Sequence, residues 1–519
     1  MKRTLTAIAL VLALSLYALV KLFALRPVIG DENIYFYQAW RMTDGLMPYR
    51  DFVSAHPPLH LYVLAAVAAL TKGEFIALKA VPMLFTLGTG LCVFALCRAG
   101  RFRPMLPGTG WCILAMAVFL LSFDTLRISS RATGTNQATF FLTLGFLFQV
   151  RGLFTLAGVC YGASVATALF VAPVLVCLLA FGRADMALGT RRTGMFRLLA
   201  GLALSLVAIH LPSWLIAPGA WWDQTVLFHF KKPPIGPDFV YTFTRFLAAE
   251  GTQTVACALG AVWFLLDRVQ RRYVWLMAAA LSVLPFGLAL KRVYIYYWFP
   301  AFPFLAIGTC IFLHKCWQMM RVKPALAVGL AMLCIGSQPV WYVVLARSLP
   351  VMQDSQEQIF HPTPVVRVVN PIVRAILSLR TLNWVPMPGL VRALRHENRQ
   401  WWDVAPAVTA LQQTLAQNET LYGDSTTTPL LALLSRRRIA GELADTNTMQ
   451  FRTGRRSVGG DIQKAFADGV RVFVAQPNRG IYLLPEYREF LTKIGPPWRV
   501  ETTGLGPVLL FLVQRPNTT

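Results

Sequence analysis

This chain of 519 residues is short of charge: Asp, Glu, Lys and Arg make up 14% of it, against roughly 25% in soluble globular proteins. That shortage, beside a hydrophobic content of 56%, excludes an ordinary soluble enzyme and a disordered chain, and points to a membrane. Acids are the scarcer sign, 24 against 49 Lys and Arg, for a net charge of +25. No cysteine follows Cys334, so any fold in the last third holds without disulfides. The nine cysteines fall in or beside apolar runs, with no CxxC pair and no His/Cys set at zinc spacing; they read as small membrane-buried side chains. GxGxxG and Walker motifs are missing. So is a DxD motif, which disfavours a nucleotide-sugar donor. No clear internal repeat is present, although transporters often carry one.

Apolar stretches recur until about residue 345. The first, Leu5 to Leu25 after Lys2 and Arg3, is too long for a signal-peptide core and has no small-residue cleavage site. It reads as a retained first helix. Further helices are expected near 75–97, 107–123, 136–150, 153–166, 168–182, 198–216, 252–266, 273–290, 296–313 and 325–345. Several fall short of the ~20 residues a bilayer needs, so 136–182 holds two helices or three. With about eleven spans, sixteen basic residues collect on one side, from Lys2 and Arg3 to Lys315, Arg321 and Lys323, against only Asp185 and Asp267. By the positive-inside rule that side is cytoplasmic. The basic excess is therefore mainly a topology signal, and nucleic acid drops out as a partner. Nine of the eleven acids in residues 1–345 fall on the outer side.

This predicts a polytopic α-helical membrane protein of the inner (plasma) membrane, ending in an extracytoplasmic α/β domain. Residues 1–345 form the membrane part and 346–405 a linker with a surface-lying helix. Residues 406–519 form the α/β domain. In that last part ETLYGDS reads as a strand ending in a loop at Gly423, Asp424 and Ser425, and Pro429–Ser435 reads as a helix. RRIAGE and VRVFVAQP read as further strands, the second buried. A small Rossmann-like domain fits this order. Two outer loops are long. One, about 26–74, includes an apolar piece from Pro57 to Leu70 that suits a helix lying at the interface. The other, about 217–250, opens on Trp221 and Trp222, a pair typical of headgroup depth.

The informative stretch is GDENIYFYQAWRMTDGLMPYRDFVSAHPPLHL, Gly30 to Leu61. It begins where the first helix emerges on the outer face with an adjacent acidic pair, Asp31 and Glu32. Ionisable residues at such a depth are functional by default; the plainer alternative is a solvated loop acid near a helix end. DE-x2-Y followed by DGLMPYRDF and HPPL resembles the first outer loop of the GT-C integral-membrane glycosyltransferases. The nearest branch holds the protein O-mannosyltransferases and the lipid A aminoarabinose transferase (glycosyltransferase 39/83-type). KRVYIYYWFPAFPFLAI, Lys291 to Ile307, resembles that family's late helix. SSRATGTNQATFF, Ser129 to Phe141, resembles its second outer loop.

The resemblance implies a sugar donor linked to polyprenyl phosphate, with Asp31 at the position of the catalytic carboxylate and Glu32 completing the pair. Two departures stand out. His56 replaces the basic residue that usually precedes the two prolines, and His can be neutral at pH 7. Thr135 and Asn136 occupy the region where many relatives carry a second acid.

The chemistry needs a base for the acceptor hydroxyl and cations for the phosphate. Asp31 is the candidate base, and Glu32 would orient the acceptor or tune Asp31. His56, Arg131, Lys231, Lys232, Lys291 and Arg292 are the candidate phosphate partners. For Lys231 and Lys232 the alternative is a turn binding lipid headgroups; for Lys291 and Arg292, beside Tyr294, Tyr296 and Tyr297, it is an interfacial anchor. Tyr35, Tyr49 and Asp51 are expected to shape the loop or touch the acceptor. No metal ligand set and no certain cofactor is indicated; a divalent metal is compatible with the chemistry. The expected activity is inverting transfer of a hexosyl or pentosyl group to an envelope acceptor (lipid, polysaccharide or protein) on the outer face of the bilayer. The alternatives are a flippase or transporter for polyprenyl-linked lipid, or a non-catalytic scaffold for envelope assembly.

Overall fold

The computed structural model describes residues 2–100, 102–186, 188–231, 239–267, 270–282, 294–334, 403–477, 479–502 and 506–514. Its helical part begins with α1 (Lys2–Ala24), α2 (Glu32–Met42), α3 (Leu59–Thr71) and α4 (Phe75–Arg98). Then come α5 (Thr109–Leu121), α6 (Phe123–Ile128), α7 (Thr135–Val150), α8 (Phe154–Val165), α9 (Ala172–Asp185) and α10 (Leu188–Ile216). A bent segment follows, α11 (Pro218–Trp222), a π turn (Asp223–Leu227) and α12 (Phe228–Lys231). The helical part closes with α13 (Phe239–Leu266), α14 (Val274–Leu281), a 3-10 segment (Ile295–Ala301), α15 (Phe302–Met319) and α16 (Pro324–Cys334).

Among the described residues four stretches are long and apolar enough to cross a membrane: Phe75–Arg98, Arg191–Ile216, Ala249–Leu266 and Tyr296–Met319. The 136–182 region resolves into three helices, because Arg151-Gly152 and Thr167-Ala168 interrupt it. The helices expected at 273–290 and 325–345 are described only to Ser282 and Cys334, and the expected linker lies outside the described residues up to 402.

Small residues let two of these helices touch. A Cβ on Gly158 of α8 would stand 2.0 Å from the Leu198 carbonyl oxygen of α10, and one on Gly162 would stand 2.7 Å from that of Leu202. This is a GxxxG face, on which backbones approach through dispersion because lipid supplies no hydrophobic drive between helices. Glu250, with φ −123° and ψ 19°, breaks α13 within its length.

The first long loop contains more order than its sequence suggests. Its apolar piece is α3, as expected, but the stretch before it is also a helix, α2. ENIYFYQAWRM lacks a one-sided apolar stripe because α2 is covered on several sides: Glu32 to Ala39 and Arg41 are all buried. Such a helix shows no simple amphipathic period.

The C-terminal unit comprises α17 (Ala405–Thr414), β1 (Thr420–Gly423), α18 (Thr428–Ser435), β2 (Arg438–Ile439), α19 (Thr448–Arg452), α20 (Val458–Ala467), β3 (Val470–Ala475), α21 (Pro485–Ile494), β4 (Trp498–Val500) and β5 (Val508–Leu512). The sheet order is β2-β1-β3-β5-β4. β1 runs parallel to β2 and β3, as a Rossmann-like order requires, whereas β5 is antiparallel to β3 and to β4. The strand expected in RRIAGE is only two residues long, because the chain turns at Gly441 with φ +58°. One apolar cluster runs from α2, α3 and α4 (Phe36, Leu64, Leu78) into the α/β unit (Leu411, Leu430, Leu433). The unit is thereby seated on the first long loop.

Candidate active site

Asp31 stands at the N-cap of α2, with helical backbone angles and no side-chain bond to the helix. Asp31 is exposed. Glu32, one residue on, points inward. It is 1% exposed, ion-paired with Lys79 of α4, and accepts the Ala132 amide at 3.1 Å. Arg131 lies 3.6 Å from the same carboxylate and donates to the Ile29 carbonyl at 3.4 Å. A Cβ on Gly30 would sit 3.2 Å from the Arg131 guanidinium, so Arg131 crosses the backbone one residue before Asp31.

Tyr35 follows Asp31 by one helical turn and is buried. Burial, and then the charges of Asp31 and Asp445, push its phenol well above the usual range. The rings of His56 and His60 meet it edge-on, at 5.7 and 5.3 Å between centroids. His60, on α3, is 4% exposed and bonds the Ala132 carbonyl at 3.0 Å. Burial lowers its pKa to about 4.

The loop between α2 and α3 is held by its own side chains. Tyr49, at φ +70°, donates its hydroxyl to the His56 carbonyl at 2.7 Å. Asp51 accepts the Met47 amide at 2.7 Å and pairs with Arg50; the hydrogen bond from Arg50 holds its carboxyl below the usual carboxylate range. The second long loop is fastened across the first. Gln224 accepts the Ser54 amide at 2.8 Å, His229 bonds the Ala55 carbonyl at 2.8 Å, and the rings of His229 and His56 are 6.0 Å apart.

The α/β unit closes the arrangement. Asn33 donates to the Thr426 carbonyl at 2.8 Å, on the loop after β1 that Asp424 holds through the Thr426 and Thr427 amides. Tyr37 donates to Glu442 at 2.9 Å, and Arg455 meets Asp223 of the second loop at 2.5 Å.

The expected site residues therefore divide. Asp31, Glu32, Tyr35, His56 and Arg131 are brought together, and Tyr49 and Asp51 brace the loop beside them. Lys231 is exposed and paired with Asp223 at 3.1 Å. Lys232, Lys291 and Arg292 lie outside the described residues. Sequence reasoning passed over Lys79, although a lone lysine in the apolar run FIALKAVPML is the kind of membrane-depth charge that marks a site. It also passed over Gln224 and Glu442, whose polar surroundings in the chain carry no such signal. Among the described residues no group of three or more His, Cys, Asp or Glu could hold a metal ion.

No family model matches the chain, and no curated protein matches it by sequence. Solved structures do. ArnT from Cupriavidus metallidurans bound to undecaprenyl phosphate superposes with a TM-score of 0.61 at 15% identity, over 99% of this chain and 100% of that one. The same protein in its apo state gives 0.60 at 15% identity, with the same coverage. The Archaeoglobus fulgidus oligosaccharyltransferase, tethered to an acceptor peptide, gives 0.48 at 11% identity over 89% of this chain and 69% of that one. From its first helix through the α/β unit, the chain has the fold of ArnT.

Proposed function

We propose that the chain transfers a glycosyl group from a polyprenyl-phosphate-linked donor to an envelope acceptor, on the outer face of the inner membrane. The observation that carries this reading is the first turn of α2. There an exposed Asp31 stands beside Tyr35, His56 and Arg131, while Glu32 is committed to Lys79. The shared fold supports the donor class, since ArnT was crystallised with undecaprenyl phosphate. Asp31 takes the proton of the acceptor hydroxyl as its oxygen bonds to the anomeric carbon. The bond from that carbon to the phosphate oxygen breaks, and the lipid phosphate leaves with the electron pair. Direct displacement inverts the anomeric centre. The leaving group is already an anion, so the cations matter more than an acid. Arg131, which lies over Gly30, and His56, which meets the Tyr35 ring, are the cations of this neighbourhood, and Lys231, Lys232, Lys291 and Arg292 belong to the outer segments that would complete phosphate binding.

In this reading residues 1–345 cross the bilayer about eleven times, 346–405 link, and 406–519 form an extracytoplasmic unit over the site. Tyr35, Tyr49 and Asp51 hold the acceptor-side loop. The test is Asp31→Asn in purified full-length protein, assayed with undecaprenyl-phosphate-linked pentose and hexose donors. Transfer should fall by about three orders of magnitude, within the range expected for loss of a general base with its positioning. Binding of undecaprenyl phosphate should persist. Wild-type transfer by that variant would overturn the assignment of Asp31, and an unchanged envelope glycan profile in cells lacking the gene would count against transferase activity altogether.

A further inference from the structure

Lys79 is wholly buried in α4, and a charge at that depth is costly unless paired and hydrogen-bonded. Its partner is Glu32, whose side chain is 1% exposed. The other oxygen of Glu32 accepts the Ala132 amide, and Arg131 approaches the carboxylate from the same loop. One carboxylate thus ties together α4, the first turn of α2 and the segment before α7. The residue preceding it in the chain is Asp31. Turning or sliding α2 enough to move Asp31 would pull Glu32 from a buried cation and strand both charges in a low-dielectric interior.

The Asp31 side chain makes no capping hydrogen bond to α2. Neighbouring constraints lie on the same turn. Asn33 is hydrogen-bonded to the Val28 carbonyl at 2.9 Å and to Thr426, so the Glu32 contacts and these bonds together hold the first turn.

We propose that Lys79 is a positioning residue for glycosyl transfer: through Glu32 it sets where the Asp31 carboxylate stands relative to donor and acceptor. This rests on the reading of Asp31 as the base, and it assigns to Glu32 an orienting role instead of proton transfer. The buried pair also has a plainer role, holding α2 on α4 for stability alone. The two roles separate in kinetics. A mispositioned base lowers kcat with little change in donor KM, whereas a merely loosened fold lowers the amount of active enzyme and its thermal midpoint.

The experiment compares Lys79→Met/Glu32→Gln, Lys79→Arg and Glu32→Asp with the wild type. Each is full-length in nanodiscs, with the undecaprenyl-phosphate-linked sugar that the wild type turns over. The double variant removes both charges together, an exchange that buried ion pairs often tolerate, so its thermal midpoint should stay near wild type. Its kcat should fall by about 10- to 100-fold, the scale of a misplacement near 1 Å, with donor KM within about threefold. Lys79→Arg, which keeps the charge, should recover most of kcat. Glu32→Asp, which draws the carboxylate back by one methylene, should lose kcat without losing fold, and it decides the matter if the double variant does not fold. Wild-type kcat in the double variant or in Glu32→Asp overturns the proposal, as does a loss confined to KM or to thermal midpoint. Asp31→Asn runs beside them. If it stays active, the base assignment fails; if it is inactive while the Lys79 and Glu32 variants are normal, only the positioning role fails.

Discussion

Arg41 of α2 and Glu442 of the α/β unit, 401 residues apart in the chain, meet in an ion pair at 3.0 Å. Tyr37 donates to the other oxygen of Glu442 and receives the Ile439 amide at 2.7 Å. One helix of eleven residues therefore carries the candidate base at its start and the docking contacts of the C-terminal unit along its length. The contacts that seat that unit and the candidate base thus share one helix of three turns.

Glu442→Ala should loosen this junction. The side chains of Arg41 and Glu442 are 9% and 16% exposed; Arg41 keeps its pair with Asp44, and loss of the charge-assisted bond to Glu442 costs about 2 kcal/mol. Limited proteolysis should cleave between the membrane part and the α/β unit several times faster in the variant. An unchanged cleavage rate would show that the apolar contact alone holds the unit.

His60 should make stability fall in acid. Its folded pKa of about 4 lies below the ordinary 6.5, so below pH 6.5 the unfolded chain takes up a proton that the folded one refuses. The neutral ring's contribution is complete above pH 6.5 and is lost as pH falls through 4, a change of about 3 kcal/mol. Thermal midpoints measured from pH 7 to pH 4 should drop more steeply in the wild type than in His60→Gln. Parallel curves would refute this.

Gly158→Ala should separate α8 from α10. The added methyl would stand 2.0 Å from a backbone oxygen, which cannot swing aside as a side chain can. Overpacking of this kind costs about 1–3 kcal/mol, read as a lowered thermal midpoint in detergent. A midpoint equal to wild type would mean that the two helices can part freely.

Gln224→Ala should release the first long loop. It removes the acceptor for the Ser54 amide and the donor to the Tyr49 carbonyl, 2.8 and 3.4 Å away. A buried amide left unpaired costs about 1–3 kcal/mol. Hydrogen exchange across residues 47–56 should accelerate while that of β1 and β3 stays constant. Equal exchange in both places would mean that the second loop does not brace the first.

Much of the helical layout is legible in the chain because apolar run length answers directly to burial. Phe75–Arg98 was expected over 75–97, Thr135–Val150 over 136–150, and Phe154–Val165 over 153–166. α2 was not legible, because a helix covered on several sides shows no single apolar face. The closing strands β4 and β5 were not legible either: Trp498–Val500 is short, and its register is fixed only by its antiparallel partner. Within the site, the acidic pair and the Tyr35–His56 neighbourhood could be approached from local pattern. The partner of Glu32 could not, since nothing in the chain says which of two adjacent acids turns inward.

By itself the sequence determined the membrane class and the stretch from Gly30 to Leu61 as the place to look. These follow from solvation free energies, which are nearly additive along a chain. The tertiary structure alone decided that Asp31 faces out while Glu32 closes on Lys79, that Arg131 lies across Gly30, and that the α/β unit is seated on α2. Those outcomes depend on which surfaces meet across hundreds of residues. In a low-dielectric interior, that meeting decides which cation a buried carboxylate such as Glu32 is paired with.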